Sequence, residues 1–357
     1  MKKLITFCIA AILLSCEKDD DVFPLECYDE SIGIDSKING GSILQTWLIA
    51  YPEHPYTLDM SQKTNANWVS LSPLIAIEDV SMQSLPYKYR FPVSNEIYKM
   101  RVIIPRVSNS GLQNIMLKPL TSFGSVKDSG FWGDFYVDTE EEWLEVERAY
   151  GAFYYAFAKL SEEFPEVKLL SIGTELREFT KRRPQFFKAL IAKIRADFPS
   201  LKLTYASNWD EYQSVSFWED LDYIGVNPYF PLVNKKVPTL NEMKQAFVPI
   251  KNDLKNLSCI YGKPILFTEY GFRSIDYAAW KSWLLEDISN SSYNFEVQNN
   301  AYTAFYDTFW DENWVAGGFF WEWKILEPGI TNNPNENGWY VNDKPVEKII
   351  MDRYSNE

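Results

Sequence analysis

The sequence predicts an α/β fold of the (β/α)8 TIM-barrel class. Three observations support this prediction. Eight short apolar segments can be counted, and amphipathic segments follow seven of them, as in a chain of strand–helix units. Two of the apolar segments close on a glutamate, Glu175 and Glu269, and strand ends of this kind open into the mouth of a barrel. The chain of 357 residues is long enough for one large domain of this type.

The predicted strands are short runs of apolar and β-branched residues bounded by turn or polar residues. In chain order they cover residues 42–48, 67–73, 114–119, 167–174, 201–206, 222–227, 265–268 and 315–321. The predicted helices carry apolar residues on one face. They cover residues 56–64, 95–104, a long segment that begins after Thr139, 184–198, 240–257, 296–310 and 346–354.

Three residues mark helix boundaries or interruptions. Thr139 is predicted to cap the long helix because acidic residues follow it in the first turn. Pro184 suits the first turn of the next helix. Pro249 lies inside segment 240–257 and is predicted to kink or break that helix, since proline removes a backbone donor.

The N-terminal segment has the pattern of a bacterial export signal. Two lysines precede an apolar run that is too short to span a membrane, and the run ends at Cys16 in a sequence that resembles a lipobox. The resemblance implies cleavage before Cys16 and lipidation of that residue, and an ordinary signal with an incidental cysteine is the alternative. We therefore predict a signal peptide over 1–15, a lipidated tether and N-terminal segment over 16–37, and one barrel domain over 38–357.

The predicted location follows from this leader. A lipidated Cys16 would anchor the chain to the cell envelope, and two acyl signals or more give lasting attachment. The acidic residues that follow Cys16 resemble signals that send some lipoproteins to the outer membrane and the cell surface. We expect no other contact with the membrane.

Composition excludes several classes of function. A net charge of −14 argues against nucleic acid, which requires a basic face. The single histidine, His54, is expected in a loop and leaves no histidine-rich metal site. No Gly-x-Ser-x-Gly motif occurs. The 13 Trp, 22 Tyr and 23 Phe exceed the usual needs of a core, and flat sugar faces are one use for them. We expect a monomer without metal or cofactor.

Two cysteines remain in the mature chain once Cys8 is removed and Cys16 is lipidated. Cys27 precedes the first strand and Cys259 lies before the seventh, so both are expected at the end of the barrel opposite the mouth. An exported protein can form a disulfide between them. Two free thiols are the alternative.

Eight short motifs resemble those of the clan A (β/α)8 glycosidases, and most specifically glycoside hydrolase family 113, which is known for β-1,4-mannanase activity. They occur in order over nearly all of the mature chain. The motifs are Asn67-Trp-Val, Lys118-Pro119, Phe131-Trp-Gly133, Gly173-Thr-Glu175, Asn208-Trp-Asp210, Gly225-Val-Asn-Pro-Tyr229, Thr268-Glu-Tyr-Gly-Phe272 and Gly318-Phe-Phe-Trp-Glu-Trp323.

The resemblance implies roles for the two glutamates. Glu175 would be the acid/base and Glu269 the nucleophile of retaining glycoside hydrolysis. The structural alternative is that each glutamate forms an ion pair, for example with Arg177 or Arg273. The chain departs from relatives at two positions: Thr174 stands where many have Asn, and Leu120 stands where a histidine is expected.

Six further residues are candidate substrate contacts. The resemblance implies that Tyr229 orients the nucleophile and that Trp321 forms the floor of the −1 subsite; packing is the alternative for both. Lys118 would either donate to a sugar hydroxyl or pair with a glutamate. Trp132, Asn208 and Trp209 are lesser candidates, with packing as an equal alternative.

The sequence therefore predicts a retaining glycoside hydrolase that acts on a β-linked polysaccharide or oligosaccharide. The most specific form of the prediction is an endo-β-1,4-mannanase that acts on mannan or glucomannan. One alternative keeps the mechanism with a different β-linked hexose. The other is a glycan-binding surface lipoprotein on an inactive barrel, which would not need both glutamates.

Overall fold

The structure of the protein is a computed structural model that describes residues 36–44, 58–77, 93–123, 131–284, 293–327, 329 and 337–355, with backbone alone at 76, 77, 122 and 123. Cys16, Cys27 and His54 lie outside the described residues, as do parts of the predicted first strand and first helix.

Eight parallel strands close into a barrel, so the predicted (β/α)8 fold is confirmed. Two more strands form a small separate sheet. The strands are β1 Ile38–Ile43, β2 Trp68–Leu71, β3 Leu74–Ile77, β4 Ile115–Leu117, β5 Leu120–Phe123, β6 Val167–Thr174, β7 Lys202–Asn208, β8 Ile224–Asn227, β9 Ile265–Tyr270 and β10 Val315–Phe320. Around the barrel the order is β1, β2, β4, β6, β7, β8, β9, β10 and back to β1.

The helices lie between these strands, as the alternating pattern predicts. Those described are α1 Met60–Thr64, α2 Val93–Asn109, α3 Glu140–Glu163, α4 Arg177–Arg182, α5 Pro184–Asp197, α6 Leu240–Tyr261, α7 Phe295–Phe309 and α8 Pro345–Tyr354. The short helix α4, which follows β6 directly, was not predicted. Its charged sequence of six residues has no apolar period long enough to recognise.

The small sheet of β3 and β5 was also not predicted. Pro73 and Pro119 interrupt the chain just after β2 and β4, and the two chains then pair again in parallel. The N–H of Leu120 donates to the carbonyl of Pro73 at 2.9 Å. Leu120, which stands where a histidine is expected, therefore begins β5 and pairs with Leu74.

Helix boundaries follow the local signals. Thr139 caps α3 through a capping box with Glu142, and Pro184 is at the start of α5, as predicted. Helix α6 continues through Pro249 to Tyr261, so the predicted alternative of a break is wrong. Buried side chains on both sides of the proline pack against the barrel and offset the lost backbone hydrogen bond.

The interior of the barrel is filled by side chains. An apolar cluster inside it consists of Ile38, Met116, Leu169, Leu266, Ala316 and Phe319. Strand β1 contributes Gly40 opposite Phe319, and a Cβ at Gly40 would lie 2.3 Å from the Phe319 ring. Glycine is therefore required where the large ring occupies the axis. The packed interior leaves the carboxyl ends of the strands as the place for a site.

The first and last elements of the barrel are joined by several contacts. Strand β1 pairs with β10, and Lys37 Nζ donates to the carbonyl of Val315 at 2.6 Å across 278 positions of sequence. The hydroxyl of Tyr354, in α8, donates to the carbonyl of Gly40 at 2.9 Å and lies 2.6 Å from the hydroxyl of Tyr270. Helix α8 therefore supports the closure between β1 and β10.

Cys259 lies in the last turn of α6, just before β9 begins, and it is disulfide-bonded. This position is at the end of the barrel opposite the mouth, as predicted. Its partner lies outside the described residues, so the pairing with Cys27 stays a prediction.

Protein that lacks residues 1–16, denatured without reductant, is expected to contain no reactive thiol, because Cys27 and Cys259 are its only cysteines. A thiol titration with and without reductant measures this. The bond would close a loop of roughly 230 residues and stabilise the fold by about 5 kcal/mol on the chain-entropy estimate. Two thiols before reduction would contradict the pairing, and a disulfide-linked dimer on a non-reducing gel would do so as well.

Candidate active site

Glu175 and Glu269 lie at the carboxyl ends of barrel strands. Glu175 directly follows β6, and Glu269 is the second-last residue of β9. Each is only 7% exposed. The backbone of Glu175 is left-handed, with φ of 55°, and its N–H donates to the carbonyl of Ala206 at 2.8 Å. This unusual turn directs the chain from β6 into α4.

The carboxylate of Glu269 is held by two donors. The ammonium of Lys118 is ion-paired with Oε1, and the hydroxyl of Tyr229 donates to Oε2 at 2.9 Å. Lys118 follows β4 and is fully buried, and its ammonium lies 4.8 Å from the centroid of the Trp321 ring. Two residues singled out from the sequence, Lys118 and Tyr229, thus contact the carboxylate of Glu269, and a third, Trp321, lies beside Lys118. Of the two alternatives for Lys118, pairing with a glutamate is the one observed.

Glu175 has a different kind of partner. The side-chain amide of Asn227 donates to Glu175 Oε1 at 2.9 Å. The oxygen of that amide accepts from the hydroxyl of Thr268 at 2.7 Å, which determines the orientation of the amide. Asn227 ends β8 and Thr268 precedes Glu269, so one hydrogen-bond chain connects the surroundings of both glutamates.

The two carboxyls are in opposite electrostatic environments. Burial raises the pKa of Glu175 to about 8, and the negative charge of Glu269 acts in the same direction. The hydrogen bond from Asn227 and the charge of Lys118 oppose this rise in pKa. Glu175 is therefore protonated at neutral pH, whereas Glu269 is paired with a cation.

The remaining predicted contacts lie around the mouth. Trp321 follows β10, its ring is partly exposed, and its peptide bond to Glu322 is cis. The ring of Tyr229 meets that of Trp339 edge-on at 5.2 Å. Asn208 ends β7, and its side chain accepts from the N–H of Trp209 at 2.8 Å.

Three predicted residues do not reach the glutamate pair. Trp209 stacks on Trp283 at 5.5 Å, and Trp132 is 43% exposed beside Phe131. Within the part of the chain that the structure describes, no hydrogen bond joins these two tryptophans or Asn208 to the side chain of either glutamate. They border the mouth rather than the centre.

The proposed structural ion pairs with the neighbouring arginines are wrong. Arg177 pairs with Asp134 and Asp210 instead of Glu175. The guanidinium of Arg273 donates to backbone carbonyls, including that of Asn337 at 3.2 Å. The arginines that follow each motif therefore hold loops together, because their side chains point away from the strand ends.

Sequence reasoning missed three residues near the site: Asn227, Thr268 and Glu211. Asn227 could have been found, since a polar residue before Pro228 at the end of a buried strand has no packing role there. Glu211 had no such signal, because it follows Asp210 in what reads as an ordinary polar loop.

Two other features are absent from the described ranges, a metal site and a membrane-spanning helix. No group of three or more His, Cys, Asp or Glu side chains there could hold a metal ion. No helix among those residues combines the length and the apolar character needed to cross a membrane.

The sequence matches the model of a protein family over most of its length. The family model of Glycoside Hydrolase Family 113 covers residues 50–344. The chain belongs to glycoside hydrolase family 113. It is therefore a glycoside hydrolase by family, and its barrel is the fold of that family.

Solved structures of this family share the fold. A GH113 β-1,4-mannanase superposes with a TM-score of 0.68 and 20% identity, over 90% of this chain and all of the other. The GH113 β-mannanase AaManA from Alicyclobacillus acidocaldarius gives a TM-score of 0.68 and 19% identity, over 90% and 98% of the two chains.

β-Glucuronidases are more distant relatives. The enzyme from Canis lupus familiaris is 29% identical over 111 residues, which is 31% of this chain and 16% of the relative, so the chain spans about a sixth of that protein. The Ruminococcus gnavus β-glucuronidase has a TM-score of 0.53 at 16% identity, over 84% of this chain and 45% of the other. The likeness to the solved β-glucuronidase is one of barrel fold alone.

Proposed function

We propose that this family 113 member is a retaining glycoside hydrolase in which Glu175 is the acid/base and Glu269 the nucleophile. One observation carries the proposal: two buried carboxyls share the mouth of the barrel, and one is paired with Lys118 whereas burial raises the pKa of the other. Retaining hydrolysis needs this division, because one group must give a proton while the other attacks.

The chemistry follows from these positions. A carboxylate oxygen of Glu269 bonds to the anomeric carbon while the bond to the glycosidic oxygen breaks. That oxygen leaves with the proton of Glu175. The Glu175 carboxylate then takes a proton from a water molecule, the water oxygen bonds to the anomeric carbon, and Glu269 is released as a carboxylate.

Three neighbours support this chemistry in distinct ways. Tyr229 donates to Glu269 and orients the attacking oxygen. Lys118 offsets the charge of Glu269 in a buried setting, where an unpaired carboxylate would be costly. Trp321 offers a partly exposed ring beside the pair, on which a sugar face can stack. The outer aromatic residues Trp132 and Trp209, with Asn208, would contact more distant sugars.

The proposed substrate is a β-1,4-linked mannan or glucomannan, cleaved internally. Support comes from family membership and from neighbours that are β-1,4-mannanases. The test is incubation of protein lacking residues 1–16 with mannan, glucomannan, xylan, cellulose and an aryl β-glucuronide, followed by analysis of product lengths. Short and medium mannooligosaccharides are expected. If glucuronic acid were the sole product, the substrate would be a β-glucuronide instead of mannan. If no glycan or glycoside gave a product, the proposed hydrolase activity would be rejected.

The acid role of Glu175 predicts a pH dependence. The proton-donating form of Glu175 disappears as pH rises through its pKa of about 8, so kcat/KM for a mannooligosaccharide should fall through that range. The leaving group of a dinitrophenyl β-mannoside needs no proton, so kcat/KM for this substrate should fall much less over the same pH range. The measurement is kcat/KM between pH 5 and 10 on both substrates. If kcat/KM fell at the same alkaline pH and to the same extent for both substrates, the assignment of Glu175 as the acid would be contradicted.

We also propose that the protein is lipid-anchored through Cys16 to the bacterial outer membrane, with the barrel displayed at the cell surface. The support is the lipobox-like run that ends at Cys16 and the acidic residues after it. Such a tether would keep the enzyme at the cell that takes up its products.

The anchor predicts the behaviour of one variant. Cys16→Ser should move the protein from the membrane fraction to the soluble fraction, because the acyl chains that hold it cannot be attached. Fractionation of cells followed by immunoblotting measures this. Cys8→Ala, at a cysteine before the predicted cleavage site, is the matched control that should stay with the membrane. Equal membrane retention of the Cys16 variant would mean that the run is not a lipobox.

A further inference from the structure

A buried carboxyl that the proposed chemistry does not use lies behind Glu175. Glu211 is in the loop after β7 and is 1% exposed. Among the described residues it has no ion pair with a lysine or arginine. A carboxyl at this depth without a cation is costly, so its retention calls for a specific set of hydrogen bonds.

Three donors supply these bonds. Glu211 Oε1 accepts from the hydroxyl of Tyr205 at 2.5 Å and from that of Thr180 at 3.2 Å. Glu211 Oε2 accepts from the N–H of Asn208 at 3.1 Å. The carboxylate therefore ties the end of β7 to helix α4, which begins two residues after Glu175.

The same network reaches the backbone of Glu175. The hydroxyl of Tyr205, while donating to Glu211, accepts from the N–H of Leu176 at 2.6 Å. The N–H of Glu175 itself donates to Ala206 in β7. Both peptide N–H groups that flank the Glu175 side chain are thus held by β7, and the left-handed turn between them depends on both bonds.

We propose that Glu211 is a positioning residue for Glu175, acting through the hydroxyl of Tyr205 and the peptide that follows Glu175. Because ionised Glu211 can only accept, the hydroxyl proton of Tyr205 points toward Glu211. The lone pair of the Tyr205 oxygen is then available to the N–H of Leu176. The inference rests on the proposed acid/base function of Glu175. It adds a residue that touches neither substrate nor reacting atoms.

Charge supplies a second effect of Glu211. Burial raises the pKa of Glu211 to about 7, and the negative charge of the ionised group in turn raises the pKa of Glu175. The other titratable groups that face Glu211 are Tyr205, Tyr150 and Asp210. The tyrosines stay neutral, since burial raises the pKa of both well above the usual value. The charge of Asp210 is paired with Arg177.

Glutamine at this position separates charge from shape. In Glu211→Gln the amide oxygen can still accept from Asn208, but the amide nitrogen then donates to Tyr205. Tyr205 loses the acceptor for its own proton and no longer presents a free lone pair to Leu176. Tyr205→Phe removes the link and keeps the charge of Glu211. Glu219→Gln, on a side chain 64% exposed, is the matched control.

The experiment measures kcat and KM between pH 5 and 10 on mannohexaose and on a dinitrophenyl β-mannoside. In Glu211→Gln we expect kcat on mannohexaose to fall roughly ten- to hundredfold with KM within about twofold, the scale for a misplaced catalytic group. The alkaline limb should move to lower pH, because a like charge near Glu175 is gone. Tyr205→Phe should lose kcat on mannohexaose without that acid shift. Both variants should keep most of their kcat/KM on the dinitrophenyl substrate, because that parameter reports the first step, whose leaving group needs no proton.

Each outcome decides a separate question. Equal loss of kcat/KM on both substrates, or an unchanged kcat and pH limb in folded variants, overturns the positioning role. If Glu211→Gln does not fold, Tyr205→Phe decides alone, and wild-type kcat on mannohexaose in that variant overturns the inference. A wild-type protein inactive on every β-glycoside rejects the proposed function instead, and an altered Glu219→Gln would show that the assay responds to any lost surface charge.

Discussion

Glu269→Ala is expected to abolish hydrolysis of every β-glycoside substrate, with kcat reduced roughly 10⁴-fold or more. The reason is that no other carboxylate lies where Glu269 meets Lys118 and Tyr229, so no covalent intermediate can form. Activated leaving groups should not restore activity, since the missing step is the attack itself. The measurement is initial rate on both mannooligosaccharides and a dinitrophenyl β-mannoside.

The variant needs a structural control, because Glu269→Ala leaves the buried Lys118 ammonium without its partner. Glu269→Gln preserves the side-chain shape and should be equally inactive, and Glu219→Ala should behave as the wild type. Thermal unfolding of all three separates loss of chemistry from loss of fold. A glycosyl-enzyme adduct in intact-mass spectra of the alanine variant would refute the nucleophile assignment.

Glu175→Ala is expected to lose about 10²- to 10⁴-fold in kcat/KM on mannooligosaccharides, which is the usual worth of a general acid. With a dinitrophenyl β-mannoside the first step should proceed and the glycosyl-enzyme should accumulate, because the second step lacks its base. Azide should then speed turnover, since a small anion needs no base and can occupy the space left by the side chain.

The product distinguishes the two glutamates. Attack of azide on a glycosyl-enzyme formed at Glu269 gives the β-glycosyl azide, with the configuration of the substrate. Nuclear magnetic resonance of the isolated azide measures this, and Asn227→Ala is a useful comparison that retains the carboxyl but loses its hydrogen bond. An α-glycosyl azide from Glu175→Ala would reverse the assigned roles.

The barrel and its glutamates could be predicted because each depends on local sequence. A run such as 265–268 is apolar through its length, which requires burial, and the acid that ends it must then lie at a strand end. The capping box at Thr139 is local in the same way. These features need no knowledge of distant residues.

The network around the site could not be predicted, because it joins residues far apart in sequence. Lys118 and Glu269 are 151 positions apart in sequence. Only the barrel, which brings the ends of β4 and β9 together, shows that Lys118 pairs with a glutamate; the sequence alone allows a sugar hydroxyl equally. Glu211 lies between Asp210 and Tyr212 in a loop, and its partners Thr180 and Tyr205 come from other elements. The continuation of α6 through Pro249 likewise depends on packing against the barrel.

The closure of the barrel has a consequence for its biosynthesis. Strand β1 is the first barrel strand to leave the ribosome, but its partner β10 is made last, and residues joined there are 278 positions apart. Because synthesis proceeds at roughly 5–20 residues per second, one edge of β1 stays unpaired for on the order of 15–55 s before β10 is made. An unpaired strand edge is a template for aggregation. The nascent chain is therefore expected to require a chaperone that covers this edge until β10 arrives, and pulse-labelled chains stalled before residue 315 should be protease-sensitive.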